Sequence, residues 1–490
     1  MRNVEDHSAL AVKVLPDIGL YIGGEVVSTG AGGTLERVDP TTGQKLAEFP
    51  VAGSPEVDRA VRAARLAFPA WRRSPADRRR AILGQVAATL REHESELKQI
   101  SALETGTPLA TSRLAQAIDY FEYYAGWCDK FAGELVATYP REALDYVRYE
   151  PYGVIGALVT WNGPVINAAM KLAPALAAGN TVVLKSPELG PFALMRFAQL
   201  LTEAGIPDGV VNIITGDADT AKAIIRHPDV AKVSFTGGPG TARKVMGLAA
   251  ESLTPVCLEL GGKSANLVFE DADLDRASQM AALMSTVLGA GQGCLFPTRL
   301  LVQESVYEDV IGRVKAVAEG ARMGDPLDPE TVMGPVISAA AVRRIGTYVD
   351  EARQTARVVA GADAVADRLP AGNFVAPTVF ADVANDSRLA REEVFGPVLA
   401  VTPFATEDEA VALANDSSYG LAGYVHTRDL IRAHRVADRL DAGYISVNAF
   451  PQMSASAPFG GTKASGFGRE GGRAGIEEFV HHKNIQIALE

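Results

Sequence analysis

Apolar positions along this chain change period near residue 152, and the change separates two kinds of segment. Before it, Ser74-Pro75-Ala76-Asp77 sets a capping hydroxyl, a first-turn proline and an acidic residue ahead of an apolar run of helical period that reaches about Leu103. The pattern predicts a helical layer. From Tyr152 onward, short continuous apolar runs alternate with runs of helical period. Strands are predicted over 153–160, 181–184, 210–214, 230–235 and 255–260, with helices over 165–178, 191–204, 220–227 and 240–250 between them. Such alternation implies a parallel sheet covered by helices, with loops converging at the carboxyl ends of the strands. A second α/β segment is predicted over 264–463, its clearest helices at 271–288 and 304–321. The small, polar stretch 361–371 reads as a surface loop.

Composition narrows the class. A chain of 490 residues, 47% hydrophobic, can bury more than one core, so two or three domains are expected. No run approaches the roughly 18–20 uninterrupted apolar residues of a membrane span. Glu5, Asp6 and His7 do not fit a secretion signal, and a cytoplasmic protein is expected. With 47 basic against 59 acidic residues the net charge is −12, which disfavours nucleic acid or an anionic membrane as partner and leaves a small molecule. Cys128, Cys257 and Cys294 are an odd number of cysteines in a long chain, pointing away from a disulfide framework and toward a reducing compartment.

Candidate chemistry gathers at predicted strand ends. Gly291-Gln292-Gly293-Cys294 follows an apolar helix, and its glycines leave the thiol uncrowded, so Cys294 reads either as a nucleophile or as a buried structural cysteine. Leu258-Glu259-Leu260-Gly261-Gly262-Lys263 places one carboxylate at the apolar end of a strand before a glycine turn. Desolvation there suits Glu259 to a general base; the alternative is a carboxylate fixing the following amides. Thr160-Trp161-Asn162-Gly163-Pro164 closes one strand and opens a helix, so the Asn162 amide can serve as an oxyanion donor or simply as turn chemistry. Lys185-Ser186-Pro187-Glu188 offers an ammonium and a carboxylate suited to a nucleotide ribose, or an ordinary charge pair on a helix. Phe235-Thr236-Gly237-Gly238-Pro239-Gly240 could admit a pyrophosphate to a helix N-terminus, although it does not satisfy G-x-G-x-x-G. His481-His482-Lys483 has no suitably spaced acidic or cysteine partner, and no metal is expected there.

In their order along the chain, Trp161-Asn162, the segment from Lys185 to Glu188, Phe235-Thr236-Gly237, the segment from Glu259 to Lys263, Gly291 to Cys294, Glu393 to Pro397 and Pro458 to Glu470 resemble the aldehyde dehydrogenase superfamily. The resemblance runs from about Tyr21 to the C-terminus. It implies an α/β protein with two doubly wound parallel-sheet domains and a small β oligomerisation arm. The divisions would be an NAD-binding domain over 1–134 and 152–262, a catalytic domain over 263–464, and an arm over 135–151 and 465–490 that builds a homodimer or homotetramer. It also implies oxidation of an aldehyde to a carboxylic acid with NAD, NADP being possible, through a thiohemiacetal and thioester on Cys294. Asn162 would hold the oxyanion, Glu259 would activate water, and Glu470 would be an auxiliary carboxylate. Cofactor contacts carried over are Thr160, Trp161, Lys185, Glu188, Thr236, Gly237, Gly238, Leu260, Glu393 and Phe395.

The same resemblance lines an aldehyde tunnel with Gly163, Asn167, Met170, Leu288, Leu295, Met453 and Phe459. Gly163 and Met170 stand where the family often has bulky aromatics, and Gly238-Pro239-Gly240-Thr241-Ala242 departs from its usual serine-containing turn. None of these tunnel positions carries a cation, so a medium or bulky, mostly apolar aldehyde is expected, with Asn167 as its polar contact. A CoA-acylating relative is the nearest rival but generally lacks the carboxylate that Glu259 supplies. A catalytically retired binding protein on this fold is the other, against which Cys294, Glu259 and Asn162 stand together.

Overall fold

The computed structural model describes residues 4–361 and 372–489. Its largest sheet has eight strands in the order Glu25–Val27, Leu20–Ile22, Val211–Thr215, Thr181–Ser186, Val154–Leu158, Val230–Gly237, Val256–Leu260, Gly466–Phe467. The five strands from Val211–Thr215 to Val256–Leu260 run parallel, and the edges are antiparallel. Val154–Leu158, Thr181–Ser186 and Val211–Thr215 are buried at every position. Strands covered on both faces are continuous apolar runs rather than alternating ones, which is why the sequence shows them so clearly.

A second sheet of seven strands follows the order Arg357–Ala360, Thr378–Ala381, Val398–Phe404, Arg299–Gln303, Ala265–Val268, Ala422–His426, Tyr444–Val447. Only its first pair is antiparallel. A third, antiparallel sheet joins Val480–Ala488, Ala143–Pro151 and Glu134–Val136, with continuous register from Val480 opposite Pro151 to Ala488 opposite Ala143. Leu135, Leu144 and Ile487 of this ribbon are exposed. Gly466–Phe467, assigned to the arm from the sequence, is the edge strand of the largest sheet beside Val256–Leu260.

Some predicted elements differ. The helical layer expected from Ser74 to about Leu103 is formed by two helices, Ala76–Glu92 and Glu94–Thr105, meeting at His93. Leu83, Val86, Leu90, Leu97 and Ile100 are buried on both sides of the break. The spacing from Leu90 to Leu97 keeps the apolar stripe in phase across His93, so periodicity does not register it. Arg91 in the last turn of one helix and Glu94 and Glu96 in the first turn of the next are the charges that terminal dipoles favour. The helix expected from 271 begins at Leu274 under the Asp273 cap, since the Asp271 carboxylate is held by the Thr427 hydroxyl and the Arg428 and Asp429 amides. The predicted loop at 361–371 lies, from 362 on, outside the described residues.

Candidate functional site

The strand Val154–Leu158 leads into Thr160, Trp161 and Asn162 and then into the helix Pro164–Ala178. Gly163 takes φ 128°, a backbone state that only glycine adopts easily. Thr160 Oγ1 donates to Asn162 Oδ1 at 2.6 Å, and Asn162 Nδ2 donates to the Gln292 carbonyl at 3.1 Å. The amide is thereby fixed from both ends, and its Nδ2 retains a second proton. Gln292 is itself anchored, accepting from the Ile337 amide at 2.9 Å and donating to the Gly289 carbonyl at 3.0 Å.

Cys294 is half-buried. The chain reaches it through Gly289, Ala290 and Gly291, all at positive φ. At Gly291 a side chain would collide with the Gly396 carbonyl oxygen, so the segment leading to Cys294 lies directly against the loop carrying Glu393 and Phe395. Burial first, and then the charges of Glu393 and Glu259, push the Cys294 thiol up to about 12. A positive charge arriving in the cleft acts in the opposite direction.

Glu259 lies at the carboxyl end of Val256–Leu260, in register with Thr236. Its carboxyl is buried, and neither oxygen has a hydrogen-bond partner among the described residues. A side chain at Gly460 would come within 2.6 Å of its Oε1, so that glycine makes the room it occupies. Burial, and next the charge of Glu470, hold Glu259 well above the usual carboxylate range. Glu470 is ion-paired with buried Lys171 at 2.6 Å, and Lys171 also donates to the Ser234 hydroxyl at 2.9 Å. Lys171 escaped the sequence reading, though a lone ammonium in the apolar helix Pro164–Ala178 was a visible signal.

The cofactor positions expected from the sequence lie at strand ends of the largest sheet and on the loop that carries Glu393 and Phe395. Lys185 and Glu188 pair at 3.0 Å just past Thr181–Ser186. Thr236 and Gly237 end Val230–Gly237, Gly238 caps the helix Pro239–Ala250, and Leu260 is the strand residue opposite Gly237. Among the described residues the Thr236 hydroxyl is buried without a partner, and no atom lies within 4 Å of where a side chain at Gly238 would project. Trp161 and Phe395 meet edge to face with centroids 5.5 Å apart. Glu393 accepts from the Gly262 amide at 3.0 Å, and burial pushes its carboxyl up to about 7. An unpartnered hydroxyl, an open helix N-terminus, an ion pair and an aromatic pair along one row of strand ends fit a dinucleotide.

Of the tunnel residues, Met170, Leu295 and Phe459 are buried in one apolar cluster, against which Leu288, Cys294 and Met453 pack. Asn167 Nδ2 donates to the Gly163 carbonyl at 2.9 Å, which leaves its second proton and its Oδ1 for a further polar contact. The one-turn spacing of a helix brings that amide onto the backbone of its own first turn.

Parallel sheets with this site at their carboxyl ends define an α/β enzyme scaffold of the doubly wound type. The aldehyde dehydrogenase family profile matches residues 27–485, and the chain belongs to that family. It is 41% identical over 476 residues to an aldehyde dehydrogenase-like protein of Schizosaccharomyces pombe, covering 96% of this chain and 95% of that one. The aldehyde dehydrogenase of Bacillus cereus, solved as an NAD+ complex, superposes with TM-score 0.94 at 36% identity over 100% of this chain and 99% of that one. PnpE from Pseudomonas sp. WBC-3 does so with TM-score 0.94 at 37% identity over 97% and 98%.

Proposed function

We propose that this chain oxidises an aldehyde to the carboxylic acid with NAD, through a covalent thioester on Cys294. The observation that carries the reading is the bond from Asn162 to the Gln292 carbonyl, which ties the candidate oxyanion donor to the nucleophile's own loop. The Bacillus cereus relative binds NAD+, and the cleft here offers the corresponding chemistry. Lys185 and Glu188 would hold the adenosine ribose, Gly238 would admit the pyrophosphate, and Glu393 with Phe395 and Trp161 would hold the nicotinamide end. Bound NAD would supply the hydride acceptor.

In this reading the Cys294 thiolate attacks the carbonyl carbon, and the remaining Nδ2 proton of Asn162 with the Cys294 amide stabilises the oxyanion. One such donor is typically worth about 3 kcal/mol of barrier. Glu259, whose carboxyl is raised by burial and by the Glu470 charge, needs to lose its proton to activate the hydrolytic water; the Lys171 ammonium favours that loss and Glu470 opposes it. Glu188 beside Lys185 favours NAD over NADP, because a 2′-phosphate would face like charge there. The exposed apolar ribbon of Ala143–Pro151 and Val480–Ala488 would pair subunits into a dimer or tetramer. Three unpaired cysteines suit the reducing cytoplasm.

The test is direct. An aldehyde and NAD, without CoA, should raise absorbance at the reduced-cofactor band, and Cys294→Ala should abolish turnover while sparing NAD binding. A strict requirement for CoA, or activity surviving in C294A, would overturn the proposal.

A further inference from the structure

The apolar wall of the site is bordered by a charged group that the expected neutral tunnel lacks. Arg113 stands two positions before the helix Ala115–Ala125 and is half-buried. Among the described residues its guanidinium makes one polar contact, Nη2 to the Met284 Sδ at 3.8 Å, and no carboxylate lies within ion-pairing distance. The other deeply placed arginines differ. Arg37 donates to the Glu104 and Ile337 carbonyls, and Arg299 donates to those of Lys263, Leu413 and Ala414. A guanidinium carries five donors and keeps its charge at any physiological pH, so one whose only polar contact among the described residues is a thioether keeps most of its donors free for a ligand.

Its position says what could satisfy it. Met284 is buried in the same apolar cluster as Met170, Leu295 and Phe459, against which Cys294, Leu288 and Met453 pack. The Tyr424 hydroxyl donates to the Leu295 carbonyl at 2.6 Å, next to the nucleophile. That hydroxyl feels the charges of both Arg113 and Cys294, so both groups lie within electrostatic reach of one buried tyrosine. Burial disfavours the charged guanidinium where it stands, and an anion placed beside it would relieve that penalty.

Building on the aldehyde-oxidising reading, we propose that Arg113 is a specificity residue that binds a carboxylate at the far end of the substrate. The preferred substrates are then aldehydes bearing a terminal carboxylate, and the products are dicarboxylates. This replaces the uncharged aldehyde expected from the sequence. A fork of N–H donors suits a carboxylate, and the apolar cluster that holds Met284 and packs against Cys294 suits a methylene chain joining the two ends.

Pairs of aldehydes of equal chain length, one ending in carboxylate and the other in methyl, test this with the full-length enzyme and NAD. The carboxylated member should have a kcat/KM about 10- to 100-fold higher, carried mainly by KM. Arg113→Met should bring the ratio near one, and Arg113→Lys should keep part of it. An arginine serving only the fold would depress both members together, so an unchanged ratio in R113M overturns the proposal, as does a wild-type preference for the neutral member. Oxidation of neutral aldehydes without a carboxylate preference defeats only this inference, whereas failure to oxidise any aldehyde defeats the reading beneath it. Should R113M not fold, inhibition of the wild type decides. A dicarboxylate should compete with the aldehyde more strongly than a monocarboxylate of equal length, and equal inhibition overturns the assignment.

Discussion

The Asn162 side-chain amide holds the carbonyl of Gln292, two positions before Cys294, at 3.1 Å. One proton of that amide positions the nucleophile's loop and leaves the other for the substrate oxygen, so a single side chain sets two geometries. Asn162→Ala removes both and should lower kcat by about 100- to 1,000-fold, the usual consequence of deleting one oxyanion donor. NAD affinity measured by fluorescence titration should change little. A loss confined to KM would place Asn162 in ground-state binding instead.

The resting thiol should be unreactive, and its reactivity should respond to one neighbouring charge. Burial and then Glu393 are the leading causes that push Cys294 up to about 12, while Glu393 itself is pushed to about 7 by burial. At about pH 9 Glu393 is therefore ionised and opposes the thiolate; at about pH 5.5 it is neutral and does not. Glu393→Gln should speed alkylation of Cys294 by iodoacetamide severalfold at the higher pH and leave it unchanged at the lower, with no nucleotide added. Peptide mass spectrometry separates Cys294 from Cys128 and Cys257, which are buried. Equal rates at both pH values would mean that the Glu393 charge does not reach the sulfur.

How much of this was legible follows from what each signal depends on. Strands buried on both faces, such as Val154–Leu158, are continuous apolar runs, so the parallel sheet could be read without knowing its partners. The break at His93 was invisible because Leu90 and Leu97 keep the stripe in phase across it. Asn162 and Cys294 stood beside glycines at strand and helix ends, where position in the fold follows from position in the chain. At Asn167 the sequence did not show that one amide proton goes to the Gly163 carbonyl one helical turn back. Lys171 showed as a lone charge in an apolar helix, but its partner Glu470, like the Met284 beside Arg113, is far away in the chain and only the packing reveals it.

Near the N-terminus, His7 lies buried between Asp39 at 2.8 Å and Asp325 at 3.2 Å, joining the helix Val4–Val14 to two distant loops. Burial alone would lower the imidazole, but the hydrogen bonds and charges of the two carboxylates outweigh it and raise it to about 9. A folded value above the unfolded one stabilises fully below about pH 6.5 and is lost as pH rises through about 9. His7→Gln should therefore lower the thermal midpoint by several degrees at about pH 6 and by little at about pH 10. Calorimetry of both proteins across that range is the check, and a difference independent of pH would assign His7 to packing alone.

The buried pair of Lys171 and Glu470 tests how the site holds charge without water. Lys171 donates to Glu470 at 2.6 Å and to the Ser234 hydroxyl at 2.9 Å, with both charged groups almost fully enclosed. Removing one partner of such a pair strands the other charge in a poor dielectric, which typically costs about 3–5 kcal/mol. Lys171→Met should therefore cost about that much in denaturant unfolding, whereas the Lys171→Met, Glu470→Gln double variant should recover most of it. The double variant should also shift the pH dependence of turnover downward, because Glu259 would have lost the larger raising charge of Glu470 together with the lowering charge of Lys171. Stability and rate then separate: recovery of folding with a shifted pH profile places the pair in the chemistry of Glu259, and recovery of folding with an unchanged profile makes it a fixture of the fold.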